Sequence, residues 1–251
     1  MHTSNLKQHN MNIKEQIIDV LQKELEPWRY RYIRSANEFK RKINKDISVY
    51  LQCDASRRIR GFTTVVLNAR AEFPNIEKTL HSQNTINNIE YWHFNIFNRL
   101  KWMMPEDLSS PLWDFVFRDD DTEEVVNERL ERMAWCIRIY IIPYLEKLSH
   151  RSSALEEAIA LDQRFLLGDR FLVPVMYCVW KHDKKAALDY IEEKRLWELS
   201  FVEPGEWDRL EKMKRGETLT PKERPTHALL YEEYVEESKK IKEWIESLNY
   251  D

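Results

Sequence analysis

The stretches DISVYLQCD (residues 46–54) and FTTVVLNARAEF (residues 62–73) decide the fold of this chain. In both, apolar and polar side chains alternate, and a period of two is typical of a half-buried β-strand. The inward row that this pattern predicts consists of Ile47, Val49, Leu51 and Cys53 in the first stretch and of Thr63, Val65, Leu67, Ala69, Ala71 and Phe73 in the second. We therefore expect two strands that bury one face and leave the other face polar.

Further strand candidates flank this pair. The segment WRYRYIRSANEFKRKI (28–43) predicts a first strand with a turn at 35–37, and YWHFNIFN (91–98) predicts another strand. Short links between these segments favour an antiparallel meander. The segment WDFVF (113–117) fits either an edge strand or a set of aromatic side chains tucked under the next layer.

Helical signals precede and follow the strands. Asn12 and Glu15 have the spacing of a capping box for a first helix, which Pro27 ends. Asp121 and Glu124 have the same spacing, and this predicts that Asp121 caps the start of a later helix. From this point onward the apolar periodicity is almost wholly helical.

The C-terminal half predicts packed helices. Segments 171–180 and 186–199 indicate an antiparallel helical pair in which Asp183 caps the second member. The fold class is therefore predicted to be α+β. An antiparallel meander sheet flanked by helices occupies residues 12–117, and an all-α region packed against it occupies residues 118–251.

The composition excludes several classes of protein. Only four glycines occur among 251 residues, too widely spaced for the Gly-rich loops of Rossmann and P-loop nucleotide sites. Three cysteines that lie far apart indicate a reducing compartment rather than a disulfide framework. The first residues lack the apolar core of a signal peptide, and no apolar run is long enough to cross a bilayer. We therefore expect a cytoplasmic protein without a membrane partner.

Signals for catalysis are weak. The histidines and cysteines show no metal-ligand spacing, so we expect neither a metal nor another cofactor. Glu38 and Lys40 form an E-x-K pair, a spacing that restriction-type nucleases use for metal binding and cleavage. Such a site also needs a carboxylate on a preceding element, and Glu26 is the only acidic residue in the stretch just before the pair. A protein that is not an enzyme is favoured.

The basic segment carries the alternative function. Between Glu26 and Arg60 there are ten Lys and Arg residues but only four acidic residues, and Tyr30, Tyr32 and Tyr50 are interleaved with them. This mixture suits phosphate contacts with base stacking, and it predicts a nucleic-acid-binding protein or a metal-dependent nuclease that uses residues 29–60. The same cations on an edge strand would instead block unwanted sheet pairing. The ten are Arg29, Arg31, Arg34, Lys40, Arg41, Lys42, Lys45, Arg57, Arg58 and Arg60.

The outward face of the sheet is the first candidate for partner binding. It mixes rings with hydrogen-bonding groups, as protein interfaces do. The predicted partner-binding residues are Tyr50, Gln52, Asn68, Arg70, His93 and Asn95 on this face, together with Arg57, Arg58 and Arg60 in the loop before the second stretch. Coverage of this face by the helical region is the alternative.

The N-terminal half resembles a known family. The order of LEPWRYRYIRSANEFKRKI, DISVYLQCD, SRRIRG, FTTVVLNARAEFP and IIPYLEKL is similar to a bacterial family of unknown function related to small immunity-like proteins, over residues 14–148. This resemblance implies an α+β fold without known catalytic residues, sometimes found near toxin or defence genes. Members usually carry a glycine and a phenylalanine after the first helix, where this chain has Arg29 and Tyr30. No functional residue is carried over.

The sequence therefore predicts a non-enzymatic cytoplasmic protein-binding module, and the resemblance implies that it is an immunity or defence component. Its partner is expected to be another protein, and nucleic acid bound through the basic segment is the alternative. The charge distribution fits either two surfaces for different partners or two solvated surfaces. Residues 1–100 carry 16 Lys and Arg against 10 Asp and Glu, and the remaining residues carry 23 against 33.

Overall fold

The strands of this protein form one antiparallel sheet. A computed structural model describes residues 12–57, 59–82, 95–108, 114–162 and 170–250. Its α-carbon contacts divide the chain into two compact units. Unit 1 comprises residues 1–75 and 94–168, and unit 2 comprises residues 76–93 and 169–251.

The sheet of unit 1 is a meander with a divided edge. Neighbouring strands pair in the order β1-β2-β3-β4-β5, and β6 pairs with β4 beside β5. Strand β5 pairs with residues 68–72 of β4, and β6 pairs with residues 62–65. The α+β prediction is thus confirmed, and the WDFVF segment contributes an edge strand. The strands are β1 (Arg31–Ile33), β2 (Glu38–Lys42), β3 (Ser48–Ser56), β4 (Phe62–Glu72), β5 (Asn95–Arg99) and β6 (Phe115–Arg118).

One face of the sheet forms the core of unit 1. Val49, Leu51, Val65 and Leu67 are fully buried, as the alternation predicts. Helices of the same unit contact the sheet: α4 (Glu123–Cys136) contacts β6, α5 (Ile142–Leu148) contacts β3 and β4, and α6 (Arg151–Asp162) contacts β5. Helix α1 (Ile13–Leu25) packs against α4. The short α3 (Leu100–Met103) follows β5 directly. Helix α2 (Pro74–Ser82) follows β4, and the division between the units falls within it.

The predicted N-terminal cap is confirmed for α1 but not for α4. The capping box of Asn12 and Glu15 is present at α1, with both reciprocal hydrogen bonds formed. The prediction that Asp121 caps α4 is wrong, because the Thr122 hydroxyl accepts the hydrogen bond of the Val125 N–H group. The Asp121 carboxylate instead accepts the Arg118 N–H group and pairs with a guanidinium of α4.

A proline changes the helix geometry between α4 and α5. Residues Ile137–Ile141 form a π-helical turn that runs directly into α5. The Ile142 N–H group donates to the Ile137 carbonyl, five residues back. Pro143 lacks an N–H group and its ring crowds the preceding turn, so a wider turn lets the helix continue instead of ending.

Unit 2 is helical in its described part. The chain runs through α7 (Leu172–Met176), a π-helical turn (Tyr177–Lys181), α8 (Lys184–Ser200), α9 (Glu206–Lys214) and α10 (Thr226–Ser247). Asp183 accepts the Ala186 N–H group at the start of α8, which confirms the predicted cap of the helical pair. Tyr234, Ile241 and Trp244 are fully buried. None of the described helices is long and apolar enough to cross a membrane.

Candidate functional site

A fixed turn places the β1–β2 hairpin at the edge of the sheet. Asn37 adopts a left-handed conformation (φ 54°), which closes the turn between the two strands. Its side-chain amide donates to the Cys53 carbonyl on β3, and its oxygen accepts the Tyr32 hydroxyl at 2.9 Å. These contacts tie the hairpin to the neighbouring strand, so the side chains of β1 and β2 are held in place.

A second turn brings the end of α1 beside this hairpin. A 3₁₀ turn (Glu26–Trp28) follows α1 and ends at Arg29, which is left-handed (φ 63°). This conformation reverses the chain so that β1 begins two residues later. Trp28 is left 41% exposed, an unusual position for the largest apolar side chain.

A basic cleft of about 820 Å³ lies between the turn and the hairpin. Five cationic side chains contribute to its wall, and the described lining residues include no acid. The lining residues are Pro27, Trp28, Arg29, Arg31, Ile33, Lys40, Arg41, Lys42 and Ile43. The cleft therefore concentrates positive charge around an exposed indole.

One of the five cations has a structural role. The Arg41 guanidinium lies 2.5 Å from the Glu146 carboxylate on α5 and 5.4 Å from the centre of the Tyr30 ring. It also donates to the Trp28 carbonyl at 3.4 Å. Burial, chiefly, raises the pKa of Tyr30, so its hydroxyl stays neutral under the guanidinium. Arg41 therefore fixes the wall of the cleft rather than offering charge to a ligand.

The other cations are available to a ligand. Arg29, Arg31 and Lys42 are exposed, and none of them forms an ion pair with another residue in the described ranges. The Lys40 ammonium lies 4.9 Å from the centre of the Tyr50 ring and forms no ion pair with a described residue. The register pairs Arg31 with Lys40 on adjacent strands. Like charges placed side by side cost stability unless an anion lies between them.

The outward sheet face satisfies much of its own polarity. Tyr50 is only 4% exposed, because Lys40 and Arg70 lie over its ring. Its hydroxyl donates to Glu72 at 2.5 Å, and Arg70 pairs with Glu38 at 3.0 Å. Burial and then the Glu72 carboxylate raise the pKa of Tyr50. The ring and the guanidinium predicted to bind a partner are thus engaged within the sheet.

The remaining predicted residues are distributed over this face and the loop. Gln52 and Asn68 are register partners on β3 and β4, and Asn95 pairs with Glu72 at the far edge, all half-buried. Arg57 forms an ion pair with Asp119 at 2.5 Å, whereas Arg60 is exposed. Arg58 and His93 lie outside the described residues. The structure therefore places Tyr50, Gln52, Asn68, Arg70 and Asn95 on one face.

The nuclease alternative finds little support in the geometry. Glu38 and Lys40 do share a face of β2, but the Glu38 carboxylate is held by the Arg70 guanidinium. In the part of the chain that the structure describes, no group of three or more His, Cys, Asp or Glu residues is placed to hold a metal ion.

Comparisons with protein-family models, with curated proteins and with solved structures found no match. The resemblance to an immunity-like family therefore stays a prediction.

The sequence pattern missed one component of the cleft. Trp28 was part of a strand candidate, and an exposed tryptophan has no signature that separates it from a core tryptophan. Only its position after Pro27, at the end of a helix, hints at a turn. Which cations are free could not be predicted either, because the Arg41–Glu146 pair joins residues 105 positions apart.

Proposed function

We propose that this protein is a non-enzymatic binding protein whose ligand is nucleic acid, held by the basic cleft. The observation that carries this proposal is the convergence of Arg29, Arg31 and Lys42, free of ion pairs with described residues, on one concave surface. Neutralising phosphates with such cations releases condensed counterions, and this release drives binding to nucleic acid. The planar guanidinium groups suit phosphate oxygens in particular.

A protein partner on the outward sheet face is supported less well. The Tyr50 ring is covered and the Arg70 charge is compensated, so a partner would have to break existing contacts to use them. A partner in the basic cleft meets no such cost. An acidic protein segment remains the competing occupant, and the association with immunity or defence stays a prediction. We retain the cytoplasmic location in the proposal, because all three cysteines are free thiols.

Binding of a labelled oligonucleotide, followed by fluorescence anisotropy over a range of salt concentrations, tests the proposal. We expect binding at low salt that weakens as a power of the salt concentration. The double variant Arg31→Ala with Lys42→Ala should bind more weakly. Its logarithmic salt slope should be smaller by about 1.4, since each phosphate contact on a single strand contributes about 0.7.

A matched control removes two exposed lysines elsewhere. Lys222→Ala with Lys239→Ala lowers the charge by the same amount outside the cleft. It should leave the affinity and the salt slope nearly unchanged. Equal losses in both double variants would show that net charge, and not the cleft, determines binding. An absence of binding at low salt would refute the proposal.

A further inference from the structure

The backbone around Trp28 is hydrogen-bonded on both sides while its ring remains open. The Arg29 N–H group donates to the Glu26 carbonyl at 2.9 Å, and the Tyr30 N–H group donates to the Leu25 carbonyl at 3.3 Å. The Arg41 guanidinium holds the carbonyl of Trp28 itself. The backbone is therefore tied on both sides of the residue. No aromatic ring of another described residue contacts the indole.

An exposed indole on a hydrogen-bonded turn can act as a stacking platform. Bases of single-stranded nucleic acid offer an open π-face, and stacking on an aromatic side chain is tolerant of sequence. A duplex hides those faces within its own stack, and exposing one requires an unstacking step that costs a few kcal/mol. The ring in the cleft can therefore favour unpaired bases, whereas the cations favour any phosphate backbone.

The size of the cleft also suits a short segment of a single strand. About 820 Å³ lies within the range of roughly 300–1,000 Å³ that holds small ligands. Such a cavity admits a short segment of a single strand, with a base beside Trp28 and its phosphates near Arg29 and Arg31. An acidic peptide could use the cations as well, but it has no planar group to stack on the indole unless it also carries an aromatic residue.

From these observations we infer that the basic cleft binds single-stranded nucleic acid, with an unpaired base stacked on Trp28 and flanking phosphates on the neighbouring cations. This inference rests on the proposed function and names the substrate class of the same site. In this arrangement Trp28 discriminates single strands from duplexes, and the cations supply affinity for any phosphate backbone.

The test measures the affinities of a single strand and of a blunt-ended duplex that contains the same strand at equal ionic strength. Wild-type protein should prefer the single strand at least tenfold. Trp28→Ala should weaken single-strand binding by about five- to 150-fold, the range expected for the loss of one stacked base. Duplex binding and the salt slope should stay unchanged. Trp28→Phe should restore much of the affinity, because it keeps an aromatic face.

A control variant and two alternative results distinguish failure of this inference from failure of the proposed function. Trp207→Ala removes a similarly exposed indole on α9 and should leave both affinities unchanged. Equal affinities for single strand and duplex, both reduced by Arg31→Ala with Lys42→Ala, would overturn the inference and leave nucleic-acid binding intact. Binding of polyglutamate without binding of either nucleic acid would overturn both.

Discussion

At the scale of single residues, Asp114 takes the place of a strand partner. Its side chain is fully buried at the point where β5 ends and β6 begins along β4. The carboxylate accepts the Leu67 N–H group at 2.6 Å, and the Asp114 N–H group donates to the Val65 carbonyl at 3.0 Å. Two backbone groups of β4 that face the gap are satisfied in this way. One residue, through its side chain and its backbone N–H group, thus permits the sheet edge to divide.

The ionisation of Asp114 should make stability depend on pH. Burial raises its pKa above the ordinary value of 3.8, although the Leu67 N–H group and Arg99 oppose that shift. The folded state therefore binds the proton more tightly than the unfolded state. The resulting stabilisation is complete below pH 3.8 and is lost as the pH rises through the higher folded pKa.

Urea unfolding of wild type and Asp114→Asn at several pH values tests this expectation. The amide can still accept the Leu67 hydrogen bond but does not titrate. The free energy of unfolding of wild type relative to the variant should fall as the pH rises through that window, and then level off. Asp54→Asn, at an exposed position on β3, controls for the loss of one negative charge. Parallel stability curves for wild type and Asp114→Asn would contradict the assignment.

At the scale of elements, the β1–β2 turn positions one wall of the basic cleft. The left-handed conformation of Asn37 costs an alanine roughly 1–2 kcal/mol but costs glycine little. We expect Asn37→Ala and Asn37→Gly both to lower the free energy of unfolding, since both lose the hydrogen bonds to Cys53 and Tyr32. The alanine variant should be less stable than the glycine variant by about 1 kcal/mol.

Chemical denaturation of both variants separates the two effects. The loss common to both variants reports the hydrogen bonds, and the difference between them reports the backbone conformation. Ser35→Ala, at an exposed position in the same turn, is the control and should change stability little. A glycine variant no more stable than the alanine variant would mean that the turn relaxes out of the left-handed conformation.

The elements also show what a sequence can and cannot predict. Strands β3 and β4 follow from alternation alone, because a period of two fixes which side chains are buried. The start of α4 does not follow, because Asp121 and Thr122 are both good capping residues and an ion pair with Arg129, eight residues further along, engages the aspartate. The divided edge of the sheet could not be predicted either, because Asp114 accepts a hydrogen bond from a residue 47 positions away.

The candidate site shows the same limit. Its cations could be named from composition, because ten of them lie between Glu26 and Arg60. Their availability depends on tertiary contacts: Arg41 and Arg57 are paired with distant carboxylates, whereas Arg31 has none within ion-pair distance among the described residues. The local sequence therefore predicts which cationic residues the cleft contains, and the tertiary contacts determine which of them are available to a ligand.

At the scale of the whole molecule, the charge distribution limits how binding can work. The formal net charge is −4, so the chain as a whole does not attract a polyanion. Screening limits the reach of exposed charges to about 10 Å at 0.1 M salt. Attraction must therefore come from the immediate surroundings of the basic cleft, and charge changes elsewhere serve as controls.

The three thiols report on the integrity of both units. Cys53 and Cys136 lie in the core of unit 1, and Cys178 lies in the core of unit 2. Burial raises the pKa of Cys53 from 9.0 to about 12 and that of Cys178 to about 11. Because the thiolate is the reactive form, these raised pKa values lower the thiolate fraction near pH 8 and should slow disulfide exchange.

We therefore expect native protein to resist a chromogenic disulfide reagent at pH 8, and unfolded protein to release three equivalents of chromophore. Ser200→Cys, at an exposed position near the end of α8, should add one fast equivalent and so controls for the reagent. Mass mapping of partly labelled protein then identifies which unit opens first, since each unit protects its own thiols. Labelling of Cys53 in native protein at the rate of the introduced cysteine would show that the interior of the sheet is open to solvent. That result would contradict the strand alternation on which the fold is built.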